Sequence, residues 1–96
     1  GDLPLQFRLR ITRRNRKLSQ AAVGALFGVS QPTINYWEMW GETKEDGTVR
    51  GKAIPADVAP LVLRWIDTGE TPTEDELATL ENRRKVKPGT RKLGAL

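Results

Sequence analysis

Two short segments with a helical spacing of apolar residues follow each other in the chain, and each is preceded by a serine. Ser19 precedes the segment 20–27, and Ser30 precedes a second segment that runs to about residue 39. Serine is favoured just before a helix, because its hydroxyl accepts a hydrogen bond from a backbone N–H of the first turn. Gly28 falls between the segments, where glycine adopts at little cost the left-handed conformation that ends a helix. The pattern predicts two short helices joined by a tight turn.

The second of these helices is amphipathic. Ile34 and Trp37 are expected to face the core, and Pro32 falls in the first turn, where a missing N–H is no loss. The other side keeps side chains that donate and accept hydrogen bonds, namely Gln31, Thr33, Asn35 and Tyr36. These are candidate base-reading residues, because a recognition helix needs an apolar side that holds it on the domain and a polar side that reaches base edges.

Helical spacing of apolar residues predicts three further helices, which makes the fold class all-α with five helices. The three cover residues 5–16, 55–67 and 72–86. The last of them has two possible starts. Thr71 with Glu74 and Thr73 with Glu76 both have the spacing at which a cap residue and a glutamate satisfy each other's backbone N–H groups.

The segment 41–53, between the third and fourth helices, has a different composition. Asp46-Gly47 is typical of a two-residue hairpin turn, and short stretches with threonine and valine flank it. The segment therefore predicts a small β-hairpin or a loop insertion. Its apolar content is too thin for an independently stable ribbon, so it has to pack on the helices.

The charges are distributed unevenly along the chain, whose formal net charge is +4. Residues 1–20 carry six bases and one acid, and residues 83–92 carry six bases and no acid. The residues between them carry eleven acids and four bases. Basic ends on an acidic middle indicate an oriented surface for a polyanion such as nucleic acid, and solvated basic ends are the ordinary alternative. The domain is expected to span 1–86, followed by a flexible basic tail at 87–96.

The residue types that the sequence lacks exclude several kinds of catalytic and metal-binding site. The chain has no cysteine and no histidine, which removes disulfides, the usual zinc ligands and the commonest general base. The acidic clusters at 42–46 and 74–76 fit turn and helix-start roles better than a metal site. We therefore expect no enzyme activity, no metal, no cofactor and no small-molecule ligand. No apolar run is long enough to cross a bilayer, and a cytoplasmic protein without a membrane partner is expected.

Nine positions between residues 18 and 38 carry a resemblance to a known family. They are Leu18, Ser19, Gln20, Gly28, Val29, Ser30, Ile34, Trp37 and Glu38. In this order and spacing they resemble the Cro/CI repressor-like (XRE) helix-turn-helix family, which has Leu-Ser-Gln at the start of the second helix and Gly-Val-Ser at the turn. The resemblance covers roughly residues 5–66 and implies a repressor-like helix-turn-helix with its core at 19–40. The chain departs from the family at 41–53, where members usually have a short loop.

The resemblance also implies roles for particular residues. Family members read bases from the first, second and sixth positions of the third helix, which are Gln31, Pro32 and Tyr36 here. The proline can offer only an apolar contact to a thymine methyl group. Arg13 and Glu38 match a partly buried ion pair that holds the third helix on the first.

Phosphate contacts are expected around the third helix. Gln20 matches the family residue at the start of the second helix, where backbone N–H groups and an amide can meet a phosphate. The other candidates carry a hydroxyl or a positive charge: Ser30, Arg10, Arg14, Lys17, Lys44, Arg50 and Lys52, with Arg8 and Arg16 as further bases of the first helix. The three cations of the segment 41–53 would make it a wing on the DNA; a dimer interface and a tolerated surface insertion are the alternatives.

These features predict a sequence-specific double-stranded DNA-binding regulator of transcription, most simply a repressor, that forms a homodimer on a palindromic operator. Two alternatives also bind DNA. One is a targeting or adaptor module of a larger mobile-element protein, which the start at Gly1 without a methionine slightly favours. The other is an antitoxin that represses its own operon. A third alternative is a protein-interaction domain that has the fold without DNA binding, which the acidic middle allows.

Overall fold

The computed structural model describes residues 3–85, with side chains through residue 82. Five helices follow one another in this part of the chain: α1 (Leu5–Asn15), α2 (Gln20–Phe27), α3 (Gln31–Met39), α4 (Ala59–Thr68) and α5 (Glu74–Lys85). The predicted all-α class is therefore confirmed for residues 3–85. None of these helices is both long and apolar enough to span a membrane. The predicted basic tail, 87–96, lies outside the described residues.

One apolar core joins the five helices. Its buried members are Leu9, Val23, Phe27, Ile34, Trp37, Val58, Val62, Trp65 and Leu80. Phe27 and Trp65 meet edge to face with their ring centroids 5.9 Å apart, so α2 and α4 contact each other through aromatic rings. α5 adds Leu80 to the core, with Leu77 partly buried beside it. Burial of these side chains holds the helices together, because removing apolar area from water is the main favourable term in folding.

The tight turn between α2 and α3 forms as its two serines and one glycine predict. The Ser19 hydroxyl accepts a hydrogen bond from the Ala22 N–H at 3.0 Å, and the Ser30 hydroxyl accepts one from the Thr33 N–H at 3.4 Å. Gly28 has a φ of +70°, the left-handed conformation expected after a helix end. The turn therefore sets the direction in which α3 leaves α2.

The segment 41–53 is a loop, and the predicted β-hairpin is not supported. The described part of the chain contains no strand, and this loop has one isolated antiparallel bridge, between Thr43 and Val49. The Lys44 N–H donates to the Thr48 carbonyl, so the turn at the tip of the loop has three residues, 45–47. The predicted two-residue turn is therefore wrong. The first ten residues of the loop are all exposed, so the loop has no buried face that would extend the pairing into strands.

α4 begins later than predicted. The expected start was Pro55, but residues 56–58 form a turn and the helix begins at Ala59. The Pro55 carbonyl accepts hydrogen bonds from the Val58 and Ala59 N–H groups and so closes this turn. Pro60 lies in the first turn of the helix, where its missing N–H costs nothing. Pro55 and Pro60 both suit the first turn of a helix, and α4 begins beside the later of the two.

α5 begins in the second of the two predicted registers. The Thr73 N–H donates to Glu76 Oε1 at 2.9 Å, and the Glu76 N–H donates to Thr73 Oγ1 at 3.1 Å. The same carboxylate accepts two hydrogen bonds from Arg64 of α4, at 2.6 and 2.9 Å. Glu76 thus connects α5 to α4. These hydrogen bonds, those from Arg64 foremost, lower the pKa of Glu76 to about 2.

The lowered pKa of Glu76 predicts a loss of stability in acid. The carboxyl group has an ordinary pKa of 4.5, so its full contribution is present above that pH and is lost as the pH falls towards about 2. Glu76→Gln is expected to flatten the fall of the unfolding free energy across this window, as measured by urea denaturation at each pH. Glu74→Gln, at an exposed position of the same turn, is the control. An equal flattening in both variants would contradict the prediction.

Candidate nucleic-acid interface

A bidentate ion pair connects α1 to α3. Arg13 Nε donates to Glu38 Oε2 at 2.6 Å, and Arg13 Nη2 donates to Glu38 Oε1 at 3.0 Å. The Glu38 side chain is 4% exposed and the Arg13 side chain 13%, so each charge is balanced by the other rather than by water. The hydrogen bond with Glu38 raises the pKa of Arg13 above its ordinary value. The structure thus brings together the two residues that the resemblance pairs.

A chain of side-chain amides runs from this ion pair to the outer side of α3. Gln20 Nε2 donates to Glu38 Oε1 and to Asn35 Oδ1, both at 3.1 Å. Gln20 Oε1 accepts a hydrogen bond from Gln31 Nε2 at 2.6 Å. The Gln31 amide is therefore held in one orientation by α2, while its own oxygen has no donor among the described residues.

The amide chain gives Gln20 and Asn35 roles that the sequence did not predict. Gln20 is a predicted phosphate contact, and both ends of its amide are engaged inside the protein. Asn35 is a predicted base reader, and it is half-buried with its oxygen occupied by Gln20. Gln20 contacts Gln31 and Glu38 directly, and Asn35 holds the Gln20 amide in place. The two partners are fifteen residues apart in the chain, so no local spacing signals their contact.

The outer side of α3 carries the other predicted base readers. Gln31, Pro32 and Tyr36 are exposed, and Tyr36 remains 43% exposed although its ring is large and apolar. Thr33 is half-buried, with its hydroxyl 3.0 Å from the hydroxyl of the exposed Ser30. The opposite side of α3 is buried in the core. α3 is therefore held by one side and presents a mostly polar strip on the other.

The loop 41–53 packs on the C-terminal half of α3. The Lys52 N–H donates to the Tyr36 carbonyl at 3.1 Å, and Lys52 Nζ lies 5.7 Å from the centroid of the Tyr36 ring. Gly51 has a φ of +76°, and a Cβ at this position would overlap the Tyr36 carbonyl oxygen. Only glycine permits this approach of the loop to the helix. The approach places a positive charge beside a predicted base reader.

The predicted phosphate-binding cations lie around α3 in separate places. Arg10, Arg14 and Arg50 line one cleft, Lys52 lies on the Tyr36 ring, and Lys17 and Lys44 are exposed at the end of α1 and on the loop. The cleft also includes Asn35 and Met39 of α3. Its arginines therefore border α3 on the side that faces α1.

Two further bases, Arg8 of α1 and Arg16 just after α1, contact α4. Arg8 pairs with Asp67 at 2.8 Å. Arg16 donates to the Trp65 and Ile66 carbonyls at 2.8 and 3.1 Å, and its guanidinium lies 4.6 Å from the Trp65 ring centroid. The Trp65 carbonyl also accepts the Gly69 N–H. Carbonyls in the last turn of a helix can lack an intrahelical partner, and the Arg16 side chain donates to such a carbonyl at Ile66. The sequence shows that each helix end has carbonyls to satisfy. It does not show which helix end lies beside α1.

No protein-family model, curated protein sequence or solved structure matches this chain. Function therefore has to be inferred from the geometry around α3 and from the resemblance in residues 18–38.

Proposed function

We propose that the protein is a sequence-specific double-stranded DNA-binding regulator, acting as a repressor, in which α2 and α3 form a repressor-like helix-turn-helix. The observation that carries the proposal is the exposed polar side of α3, which is fixed from two directions. The Arg13–Glu38 pair connects α3 to α1, and the Gln20–Gln31 hydrogen bond connects its first turn to α2. A helix fixed in this way docks with little loss of conformational entropy.

The side chains of α3 suit the major groove of B-DNA. That groove admits an α-helix, and it distinguishes base pairs by their donors, acceptors and methyl groups. Gln31 offers an amide donor and a free amide oxygen, the combination that pairs with the edge of adenine. Pro32 offers apolar atoms, which suit a thymine methyl group. Tyr36 adds a hydroxyl more than one helical turn after Gln31.

The charges around α3 favour a polyanion. Arg10, Arg14, Lys17 and Lys44 have no ion pair or side-chain hydrogen bond within residues 3–85. A cation that meets a DNA phosphate releases counterions, and each such contact adds about 0.9 to the salt slope of binding. Binding is therefore expected to weaken steeply as salt is added.

Each chain has one helix proposed to read bases, and this suggests how the protein assembles on DNA. Proteins of this type bind as dimers to palindromic sites whose half-sites lie about one helical turn apart. We propose the same for this chain: a homodimer on a palindromic operator, acting in the cytoplasm. A module of a larger mobile-element protein or an autorepressing antitoxin would use α3 in the same way. These alternatives change the biological setting and leave the interface unchanged.

Two classes of variant test the reading role of α3. Gln31→Ala and Tyr36→Ala are each expected to cost about 1–3 kcal/mol of binding free energy at particular base pairs and to relax the preference there. Arg14→Gln is expected to weaken binding to all sequences alike and to lower the salt slope by about 0.9. Fluorescence anisotropy with a selected duplex and its point-substituted derivatives measures both effects.

A matched control comes from the same helix as Arg14. Arg8→Gln removes one positive charge from α1 at a position that faces Asp67 of α4. It is expected to leave both the base preference and the salt slope unchanged. If Gln31→Ala weakened every duplex by the same factor, α3 would not be the reading helix.

A further inference from the structure

We infer that the cleft between α1 and the loop 41–53 is a binding site for one phosphate group. The cleft has a volume of about 330 Å³ and opens beside α3. Its chemistry suits any phosphate ester or inorganic phosphate. In the DNA complex the group would be a backbone phosphate, and this part of the inference rests on the proposed function.

Three arginines border the cleft with their guanidinium groups largely uncommitted. Arg10 and Arg14 are four residues apart on α1, so they lie next to each other on one face of the helix. Arg50 approaches from the loop. Neither arginine of α1 has an ion-pair partner in the described part of the chain. The fork of N–H donors on arginine matches two oxygens of a phosphate at once, which an ammonium group cannot do.

The two carboxylates at the cleft do not cancel this charge. Glu38 is already balanced by Arg13 through two short hydrogen bonds. Glu42 lies 3.9 Å from Arg50, and the two side chains are 42% and 44% exposed. An exposed pair at this distance is worth little and is readily exchanged for a stronger anion. The cleft therefore keeps a net positive charge.

The loop holds its arginine opposite α1 by backbone hydrogen bonds. The Arg50 N–H donates to the Glu42 carbonyl at 2.7 Å, and the Gly41 N–H donates to the Arg50 carbonyl at 3.4 Å. A side chain presented from a fixed backbone loses less entropy when it binds. The segment by which this chain departs from the family that it resembles thus supplies the third arginine of the cleft.

Free phosphate tests the cleft without DNA. The full 96-residue chain, labelled with ¹⁵N, is titrated with inorganic phosphate at constant ionic strength while NMR follows the arginine Nε–H signals. We expect saturable shifts for Arg10, Arg14 and Arg50, and an affinity about tenfold weaker in Arg10→Gln or Arg50→Gln. Arg8→Gln, which removes an arginine on the side of α1 facing α4, is expected to keep the wild-type affinity. Absence of saturable shifts, or an equal loss in Arg8→Gln, would overturn the inference.

Duplex DNA distinguishes the source of the phosphate. If the cleft holds one backbone phosphate, the double variant Arg14→Gln, Arg50→Gln lowers the salt slope by about 0.9, as Arg14→Gln does alone. Two separate contacts would lower it by about 1.8 and contradict a shared site. Phosphate shifts with an unchanged salt slope would support the cleft and assign it to a free phosphate ester. Phosphate shifts in a protein that binds no duplex would remove the proposed function and leave the cleft intact.

Discussion

Glu38→Ala is expected to lower the free energy of unfolding by about 3–5 kcal/mol. In this variant the Arg13 guanidinium, whose side chain is 13% exposed, loses its bidentate partner and stays largely out of water. Gln20 loses an acceptor at the same time. The cost comes mainly from leaving a charge buried and uncompensated, because a buried ion pair contributes little net stability itself. Urea denaturation followed by tryptophan fluorescence measures the change.

A double variant separates the uncompensated charge from the lost contact. Arg13→Met combined with Glu38→Leu removes both charges and fills the space with apolar side chains, so its stability is expected to stay within about 1–2 kcal/mol of the wild type. The exposed Arg8–Asp67 pair is the surface control, and Asp67→Ala is expected to cost under about 1 kcal/mol. If Glu38→Ala cost no more than Asp67→Ala, the ion pair would not be what fixes α3 on α1.

Gly51→Ala is expected to separate the loop 41–53 from α3 and to destabilise the protein by about 2–4 kcal/mol. Two effects combine at this position. The φ of +76° is strained for alanine, and the new Cβ would overlap the Tyr36 carbonyl oxygen and lie 3.0 Å from the Trp40 nitrogen. These atoms belong to the backbone of a helix and its end, so the loop is the part that has to move. The hydrogen bond from the Lys52 N–H to the Tyr36 carbonyl is then lost.

A second glycine of the same loop isolates the steric effect. Gly47 has a φ of +88°, and a Cβ there would have no atom within 4 Å. Gly47→Ala therefore carries the conformational strain alone, about 1–2 kcal/mol. Hydrogen exchange of the Lys52 amide reports on docking directly, and it is expected to lose protection in Gly51→Ala and to keep it in Gly47→Ala. Equal protection in the two variants would contradict the close approach of the loop to α3.

The starts of α2 and α3 and the end of α2 could be predicted to the residue, because their signals are local. Ser19, Gly28 and Ser30 each act within a few residues of their own position, through caps and a left-handed conformation. Local signals do not predict the start of α4. Pro55 and Pro60 both satisfy the local rule for a helix start, and packing selects between them. The predicted β-hairpin failed for a related reason, since the Asp46-Gly47 signal specifies a turn without specifying paired strands.

Contacts between distant residues account for what the sequence did not reveal about the site. The Arg13–Glu38 pair was available from the resemblance, whereas the contact of Gln20 with Asn35 exists only once α2 lies against α3. Basic residues of α1 pose the same difficulty. Nothing in the sequence distinguishes a base that faces phosphate from one that caps a helix end, as Arg16 caps α4.

Selection from a library of random duplexes tests the central proposal most directly. The full 96-residue chain is incubated with randomised double-stranded oligonucleotides, and the bound fraction is amplified and sequenced over successive rounds at several salt concentrations. DNA reading by α3 predicts a recurring motif with two half-sites about one helical turn apart, and an affinity that falls steeply as salt is added. No enriched motif, together with no binding to any duplex at low salt, would contradict it.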